Sequence, residues 1–369
     1  MKNIALKVFF LFSAILLSGC PNDEGPYYMF TKIDRDGSCY REFIRSADSA
    51  FVAGDTSNNP FPMKIDSTWN LTFYKRTAGD SSRFAKLPAG KIQKENGKEF
   101  TWFAVAKKHF PSVEDMSLNF RFDDSDWDSM KSTIDFTRKF RWFYTYYEFS
   151  DTYSAINPFK KVPVSLYLSD KEVAALYGED KELYTGKNGF EIKSMLEEMD
   201  KRAEQWLNHS FYEEVFSLYI KHYDRFKDAP VDVDAFASEK DSIFKYYTDS
   251  INLITDDLGK LLNHHFQTNA YEVDDSAFDA ELEKEFPNFI WYSSMELNYM
   301  MTLPGKVIET NAPFLRNDTL SWKVEDDRFF FNDYKLKAIS RKPNYWAFAV
   351  TGFVILLAIA GLVVRRKPV

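Results

Sequence analysis

Cysteine and histidine are scarce: the 369 residues include two cysteines, Cys20 and Cys39, and five histidines. Two cysteines cannot build a disulfide framework, and no Cys or His cluster has the spacing of a zinc site. His209 and Glu213 lie four apart and could share a metal on a helix. The adjacent His264 and His265 would point about 100° apart and are poorly placed to chelate together. Also missing are Gly-x-Ser-x-Gly, a P-loop, a dinucleotide-binding fingerprint and His-Glu-x-x-His. Acid pairs such as Asp123-Asp124, Asp256-Asp257 and Asp326-Asp327 read as solvated surface. With no nucleophile, general base or ligand set at a telling spacing, the chain reads as non-enzymatic, without metal or cofactor.

Acidic residues are absent from both ends. Residues 1–20 and 341–369 contain none, yet together hold seven Lys and Arg, so the net charge of −8 for the whole chain becomes −15 for residues 21–340. Such a body is repelled by phosphate backbones, which excludes nucleic acid as a partner.

What the ends do contain is apolar. Lys2 and Lys7 flank and interrupt a stretch from Ile4 to Leu17, the pattern of an export signal, too short to span a bilayer. It closes on Leu17-Ser18-Gly19-Cys20, which resembles the lipobox of bacterial lipoproteins. That resemblance implies removal of residues 1–19, acylation of Cys20 and a short linker over 20–26. Cys39 then has no disulfide partner and is expected as a small buried residue. At the other end, Trp346 to Val364 carries no charge, and at about 1.5 Å per residue it covers a hydrocarbon core of about 30 Å. Tyr345 and Trp346 suit the membrane interface, and Arg365, Arg366 and Lys367 suit the cytoplasmic side. The expectation is a transmembrane helix over 344–364 and a basic tail over 365–369. The body would stand outside the cytoplasmic (inner) membrane, with the C-terminus in the cytoplasm.

Between the ends, aromatic residues make up 17% of the chain, with 35 Phe and 21 Tyr. Tyr27 to Asp34, Asp36-Gly37 and Cys39 to Arg45 read as a hairpin, and so do Ile92–Glu95, Asn96-Gly97 and Glu99–Ala106. Trp69 to Tyr74 and Met116 to Phe122 read as further strands. Residues 140–149, Phe-Arg-Trp-Phe-Tyr-Thr-Tyr-Tyr-Glu-Phe, read as one strand with Phe140, Trp142, Tyr144 and Tyr146 on one face and Phe143, Tyr147 and Phe149 on the other. Both faces need cover. Helices or a second sheet would provide it; alternatively, Trp142, Tyr144 and Tyr146 line an aromatic ligand groove.

From Ser169 the apolar period changes from two to 3.6. Asp170 to Tyr177 reads as a short helix, and Phe190 to Phe226 as a long one stopped by Asp228-Ala229-Pro230. Asp234 to Phe266 reads as a second long helix antiparallel to it, and a third begins near Asp275 and ends before Pro287. Met295–Leu303, Lys306–Thr310, Thr319–Val324 and Tyr334–Ser340 read as strands. The fold expected is therefore α+β. An antiparallel β-sheet domain over 27–168 and 290–343 is interrupted by a long helical-hairpin insertion at 169–289, and one C-terminal transmembrane helix follows.

Leu303-Pro304-Gly305-Lys306-Val307, Thr310-Asn311-Ala312, Thr319 to Val324 and Leu336 to Ser340, followed by a membrane helix, resemble the C-terminal half of the LppM-type lipoprotein domain. The resemblance covers about fifty of these residues and the general layout. It implies an α+β body at the cell envelope, possible lipidic ligands, and no reaction. Seven triplets in which Asp and Ser or Thr precede an aliphatic or small residue, those beginning at Asp48, Asp66, Asp128, Asp241, Asp249, Asp275 and Asp318, resemble the acceptor motif of a bacterial O-glycosylation system, although helix capping also accounts for such residues. The functional expectation is a membrane-anchored lipoprotein whose body is a protein interaction or assembly module for an envelope protein; the alternative is capture of a lipid or glycolipid.

Overall fold

The structure is a computed structural model and describes residues 26–87, 90–122, 130–157, 159–247, 258–271, 281, 284, 296–325 and 328–365. Cys20 and the expected signal segment lie outside the described residues, as does most of the helix expected before Pro287. In chain order the strands are β1 (Tyr27–Ile33), β2 (Cys39–Ala47), β3 (Asn70–Thr77), β4 (Gln93–Glu95), β5 (Lys98–Phe110), β6 (Ser132–Phe140), β7 (Tyr144–Tyr153), β8 (Glu296–Thr302), β9 (Lys306–Thr310), β10 (Phe314–Arg316), β11 (Thr319–Glu325) and β12 (Tyr334–Pro343). The helices are α1 (Ser49–Val52), α2 (Val113–Asn119), α3 (Asp170–Leu176), α4 (Gly189–Lys221), α5 (Val233–Ser238), α6 (Lys240–Tyr247), α7 (Leu258–Phe266), α8 (Arg328–Phe331) and α9 (Tyr345–Arg365). The fold is α+β, with large antiparallel sheets, a long helical insertion and one C-terminal apolar helix.

The chain divides into two compact units. One takes Glu24–Ser154, Glu296–Val324 and Asp333–Val369, and holds both sheets. Its first sheet runs β10-β11-β8-β1-β2-β5-β3, with β4 also on β5, and its second runs β6-β7-β12-β9. Turn chemistry fixes several registers. In the β1–β2 hairpin Gly37 takes φ +93° and the Asp36 carboxylate accepts the Ser38 N–H at 3.0 Å. Asn96 and Gly97 both have positive φ, as a two-residue mirror-image turn requires, and hold Glu95 opposite Lys98. β1 also pairs with β8 in parallel, from Tyr27 opposite Leu297 to Lys32 opposite Thr302. A parallel pair needs a long crossover, and the helical insertion lies in this one.

Inside this unit, β2 and β7 contribute opposite charges to the buried interior. Arg41 and Asp151 are fully buried, with Nη2 3.7 Å from the Asp151 Oδ2. Arg41 Nε donates to Thr31 Oγ1 at 3.1 Å, Nη2 donates to Tyr299 Oη at 3.4 Å, and the guanidinium lies over the Phe120 ring. Burial raises the Asp151 carboxyl to about 6 despite the nearby Arg41. Cys39 is 2% exposed, with its Sγ 3.8 Å from Met116 Sδ, and burial pushes its thiol up to about 11. It is the small core residue expected. Met116 to Phe122 is not a strand, however. Ser112 caps α2 there by accepting the Asp115 N–H, with Glu114 and Asp115 in the first turn, and this local capping outweighs a short alternating pattern.

The other unit takes Ala155–Met295 and Glu325–Asn332. α4 has 33 residues, about 50 Å of helix. Its buried side chains divide between two cores. Met199, Ala203 and Trp206 pack with Phe159, Val173, Phe330 and Phe331. Further along, Tyr212, Phe216 and Tyr219 pack with Phe236, Ile243, Leu262 and Tyr271. The buried Arg328 of α8 pairs with the half-buried Glu179 through Nε and Nη2, and so fixes the segment that carries Phe330 and Phe331. The expected second long helix is divided. α5 ends where Glu239 N–H turns to Phe236 O and the Ser238 hydroxyl donates back to Ala235 O, while the Lys240 carbonyl accepts from Tyr212 Oη. Phe236 and Ile243 join one core across this break, so a 3.6-residue stripe persists through it. Residues 248–257 lie outside the described residues.

Candidate functional site at the end of the second sheet

The expected strand over 140–149 is two strands and a turn. β6 ends at Phe140, β7 begins at Tyr144, and the turn closes with Arg141 N–H donating to Tyr144 O at 2.7 Å and Tyr144 N–H donating to Arg141 O at 3.2 Å. Arg-Trp-Phe lacks the usual turn residues, which is why the sequence reads through it. Along β7, Thr145, Tyr147, Phe149, Asp151 and Tyr153 are buried, and the side chains between them are half-buried. Of the three candidate ligand residues, Tyr144 and Tyr146 share that half-buried face, while Trp142 stands in the turn.

The turn packs against the first two turns of α9. Asn344, the single residue between β12 and α9, donates from Nδ2 to the carbonyls of Arg141 (2.8 Å) and Trp142 (3.2 Å). Its Oδ1 accepts from Thr145 Oγ1 at 2.9 Å, and its backbone N–H donates to Phe143 O at 2.8 Å. Three successive carbonyls of an outlying turn are thus satisfied by one residue. Trp142 Nε1 donates to Thr351 Oγ1 at 2.8 Å, one position past the sixth residue of α9. Phe140 stacks on Trp346 at 6.3 Å, Trp142 meets the same indole edge-on at 5.2 Å, and Phe143 lies 4.8 Å from Phe348. Phe140, Trp142, Phe143, Tyr345, Trp346 and Phe348 all remain exposed on their outer sides. Beyond its first turns α9 is bare: Tyr345–Leu362 is long and apolar enough to cross a membrane, and 6% of it is buried.

Cations stand two residues up the sheet from this collar. Tyr146 pairs with Lys139 on one side and Arg341 on the other, and Arg341 pairs with Lys306. Directly paired residues point to one face, so Lys139, Arg341 and Lys306 form a row across four strands with Tyr146 among them. Lys139 is 2.6 Å from Glu148, and Arg341 also lies over the Tyr144 ring. Sequence reading singled out Trp142, Tyr144 and Tyr146 as candidates but not Asn344, Thr351 or the cation row, which only strand pairing and the junction with α9 bring beside them.

The other sequence candidates lie elsewhere. His209 Nδ1 is 2.9 Å from Tyr167 Oη, its ring stacks on Phe244, and its Nε2 is 3.8 Å from Glu213, whose other oxygen holds Lys240 at 2.9 Å. Burial lowers the His209 pKa. Among the described residues no group of three or more His, Cys, Asp or Glu could hold a metal ion. Of the Asp-Ser/Thr triplets, Asp48 caps α1, Asp66 accepts the Thr68 N–H at 2.8 Å, Asp241 lies in the first turn of α6, and Asp318 sits with Asn317 in a positive-φ turn between β10 and β11. Those at Asp128, Asp249 and Asp275 lie outside the described residues. No family model matches the chain, and neither a curated protein nor a solved structure matches it.

Proposed function

We propose that this chain is a non-enzymatic, membrane-anchored interaction module of the bacterial cell envelope. It would be acylated at Cys20, with α9 spanning the inner membrane, the body outside the cytoplasm and the basic tail inside. The observation that carries this is the junction of β12 and α9. One residue separates them, and that residue is hydrogen-bonded to the turn beside it, so the sheet is held to the helix with no linker to swivel on. Such a mount suits a protein that presents a surface in a set orientation. The sequence resemblance of residues 303–340 to LppM-type lipoproteins would fit the same role.

The docking surface is assigned to the helical unit on its own exposed side chains. Phe190 of α4 and Tyr246 of α6, 81% and 74% exposed, are the most exposed large apolar side chains among the described residues. Isolated exposed apolar groups are common, but aromatic ones are also the usual centres of protein interfaces. A photo-crosslinking amino acid at Phe190 or Tyr246 of the full-length protein in intact cells should trap a discrete protein. The same probe at Ile92, in the unit that holds the sheets, should not trap it. Crosslinks to lipid alone from both sites would overturn the assignment. The lipid-binding alternative is favoured by one observation, the place of Trp142, Tyr144 and Tyr146 beside α9.

A further inference from the structure

The turn between β6 and β7 has two properties that conflict in water. Three of its outer side chains, Phe140, Trp142 and Phe143, are large and apolar beside the exposed Arg141, and its backbone is satisfied from within. Phe140, Trp142 and Phe143 are exposed, which in water is unfavourable, while the carbonyls of Arg141, Trp142 and Phe143 all accept from Asn344. An exposed turn in water has no need of that, because solvent supplies donors. A turn in lipid does need it, since irregular backbone is tolerated there only when its polar groups find partners in the protein. The Trp142 indole N–H follows the same rule by donating to Thr351.

We infer that the β6–β7 turn is a second membrane-inserting element, which dips into the outer leaflet alongside α9 and makes direct contact with phospholipid. The inference rests on the proposed reading that α9 spans the membrane. Thr351 lies six residues into α9 from Tyr345, roughly 9 Å along the axis, so Trp142 reaches about that far past the helix start. An interfacial element buries its apolar side about 5–10 Å into the headgroup and acyl boundary. The cation row fits the same placement. Arg341 is two residues up-strand from Pro343, roughly 7 Å, and the polar layer of a leaflet is about 6 Å thick. Lys139, Arg341 and Lys306 therefore stand at the level of the lipid phosphates, on a body whose overall charge is negative. The apolar turn, with its paired indole, and the cation row are two layers in the order in which a leaflet presents its acyl boundary and its phosphates.

The test uses the full-length chain carrying Cys20→Ser, reconstituted in phosphatidylethanolamine–phosphatidylglycerol vesicles; the buried Cys39 thiol leaves a single introduced cysteine to label. An environment-sensitive fluorophore goes on Phe143→Cys, on Phe140→Cys as a second turn site, on Phe353→Cys in α9, and on Lys75→Cys in β3 as a water-facing control. The expected result is that the turn labels are quenched by lipid with a nitroxide near the headgroup and are several-fold less accessible to aqueous iodide than the β3 label, with the body melting as the unlabelled protein does. If both turn labels meet iodide as freely as the β3 label while the α9 label is quenched by lipid, the insertion is wrong and the span stands. If the α9 label is itself open to iodide, the span fails and the insertion fails with it.

Discussion

Both long helices start after an asparagine, and the two asparagines are used differently. Asn188 serves its own helix: its Oδ1 accepts the N–H groups of Phe190 and Glu191, and the Glu191 carboxylate returns to the Asn188 N–H at 2.7 Å. Asn344 sends its side chain to the neighbouring turn and Thr145 instead. The surroundings of the helices differ in the same sense. α4 alternates buried and open faces and is covered by two aromatic cores, whereas α9 is apolar all round and covered only at its first turns. A helix in water needs a cap, a polar face and a protein cover for its apolar stripe. On the proposed reading that α9 lies in lipid, it needs neither a polar face nor a protein cover, and the residue at its start can serve to hold the body in place.

The comparison breaks most completely at the membrane itself. Cys20→Ser alone should leave the protein in the membrane fraction, since one acyl chain binds marginally and a spanning helix in effect permanently. Cys20→Ser combined with a stop after Asn344 should release it to the soluble fraction. Release of the single variant on cell fractionation would show that α9 does not span.

Core substitutions should separate the two helices next. Trp206 is fully buried and its Nε1 donates to Val162 O at 3.0 Å, so Trp206→Ala removes a large ring and leaves a carbonyl without its donor. The expected loss is about 4 kcal/mol of unfolding free energy. Leu356→Ala in α9, where the side chain is 66% exposed, should leave denaturant unfolding of the body unchanged in detergent. Equal losses would mean that α9 is packed against protein.

A pH effect of slightly smaller size belongs to the sheets. Burial raises the Asp151 carboxyl to about 6, above its ordinary 3.8. Between these values the folded state holds more protons than the unfolded one, so stability falls as pH rises from about 4 to about 6, by an amount on the order of 3 kcal/mol. Asp151→Asn, a neutral carboxamide at all these values, should flatten that slope. Glu172 is shifted the other way, to about 2, by hydrogen bonds from Arg202 and Ser169. Its contribution is present above pH 4.5 and disappears as pH falls through about 2, so the two carboxylates separate by pH window in the same melting series.

How much of this was legible in the sequence depends on whether the signal was local. Asp36-Gly37 and Asn96-Gly97 specify their own turns, and the Ser169 and Asn188 caps specify their own helix starts. Those elements read correctly to within a few residues. β6 was not recognised, and the turn at 141–143 was hidden because aromatic and basic residues replace Gly or Asn there. The parallel β1–β8 pair, α8 and its Arg328–Glu179 link depend on residues far apart in the chain, which no local pattern encodes. Trp142, Tyr144 and Tyr146 stood out by composition. What surrounds them, Asn344, Thr351, Lys139, Arg341 and Lys306, became visible only through register.

The smallest predicted effect tests the opening contrast directly. Asn188→Ala removes an acceptor from two N–H groups at the start of a water-exposed helix, and should cost about 1 kcal/mol in denaturant unfolding of the full-length protein. Asn344→Ala should leave the helicity of α9 in vesicles unchanged, because the bilayer itself enforces internal hydrogen bonding along the span. What it should change is the turn. Without the donors from Nδ2, the Trp142 carbonyl loses its side-chain donor and the Arg141 carbonyl keeps only the Tyr144 N–H, which destabilises the turn in lipid, and amide exchange at Arg141 and Tyr144 should speed up while exchange in β2 stays as it was. If Asn344→Ala instead frays the first turn of α9 and leaves exchange in the turn untouched, the two asparagines do the same work, and the distinction drawn between the helices is lost.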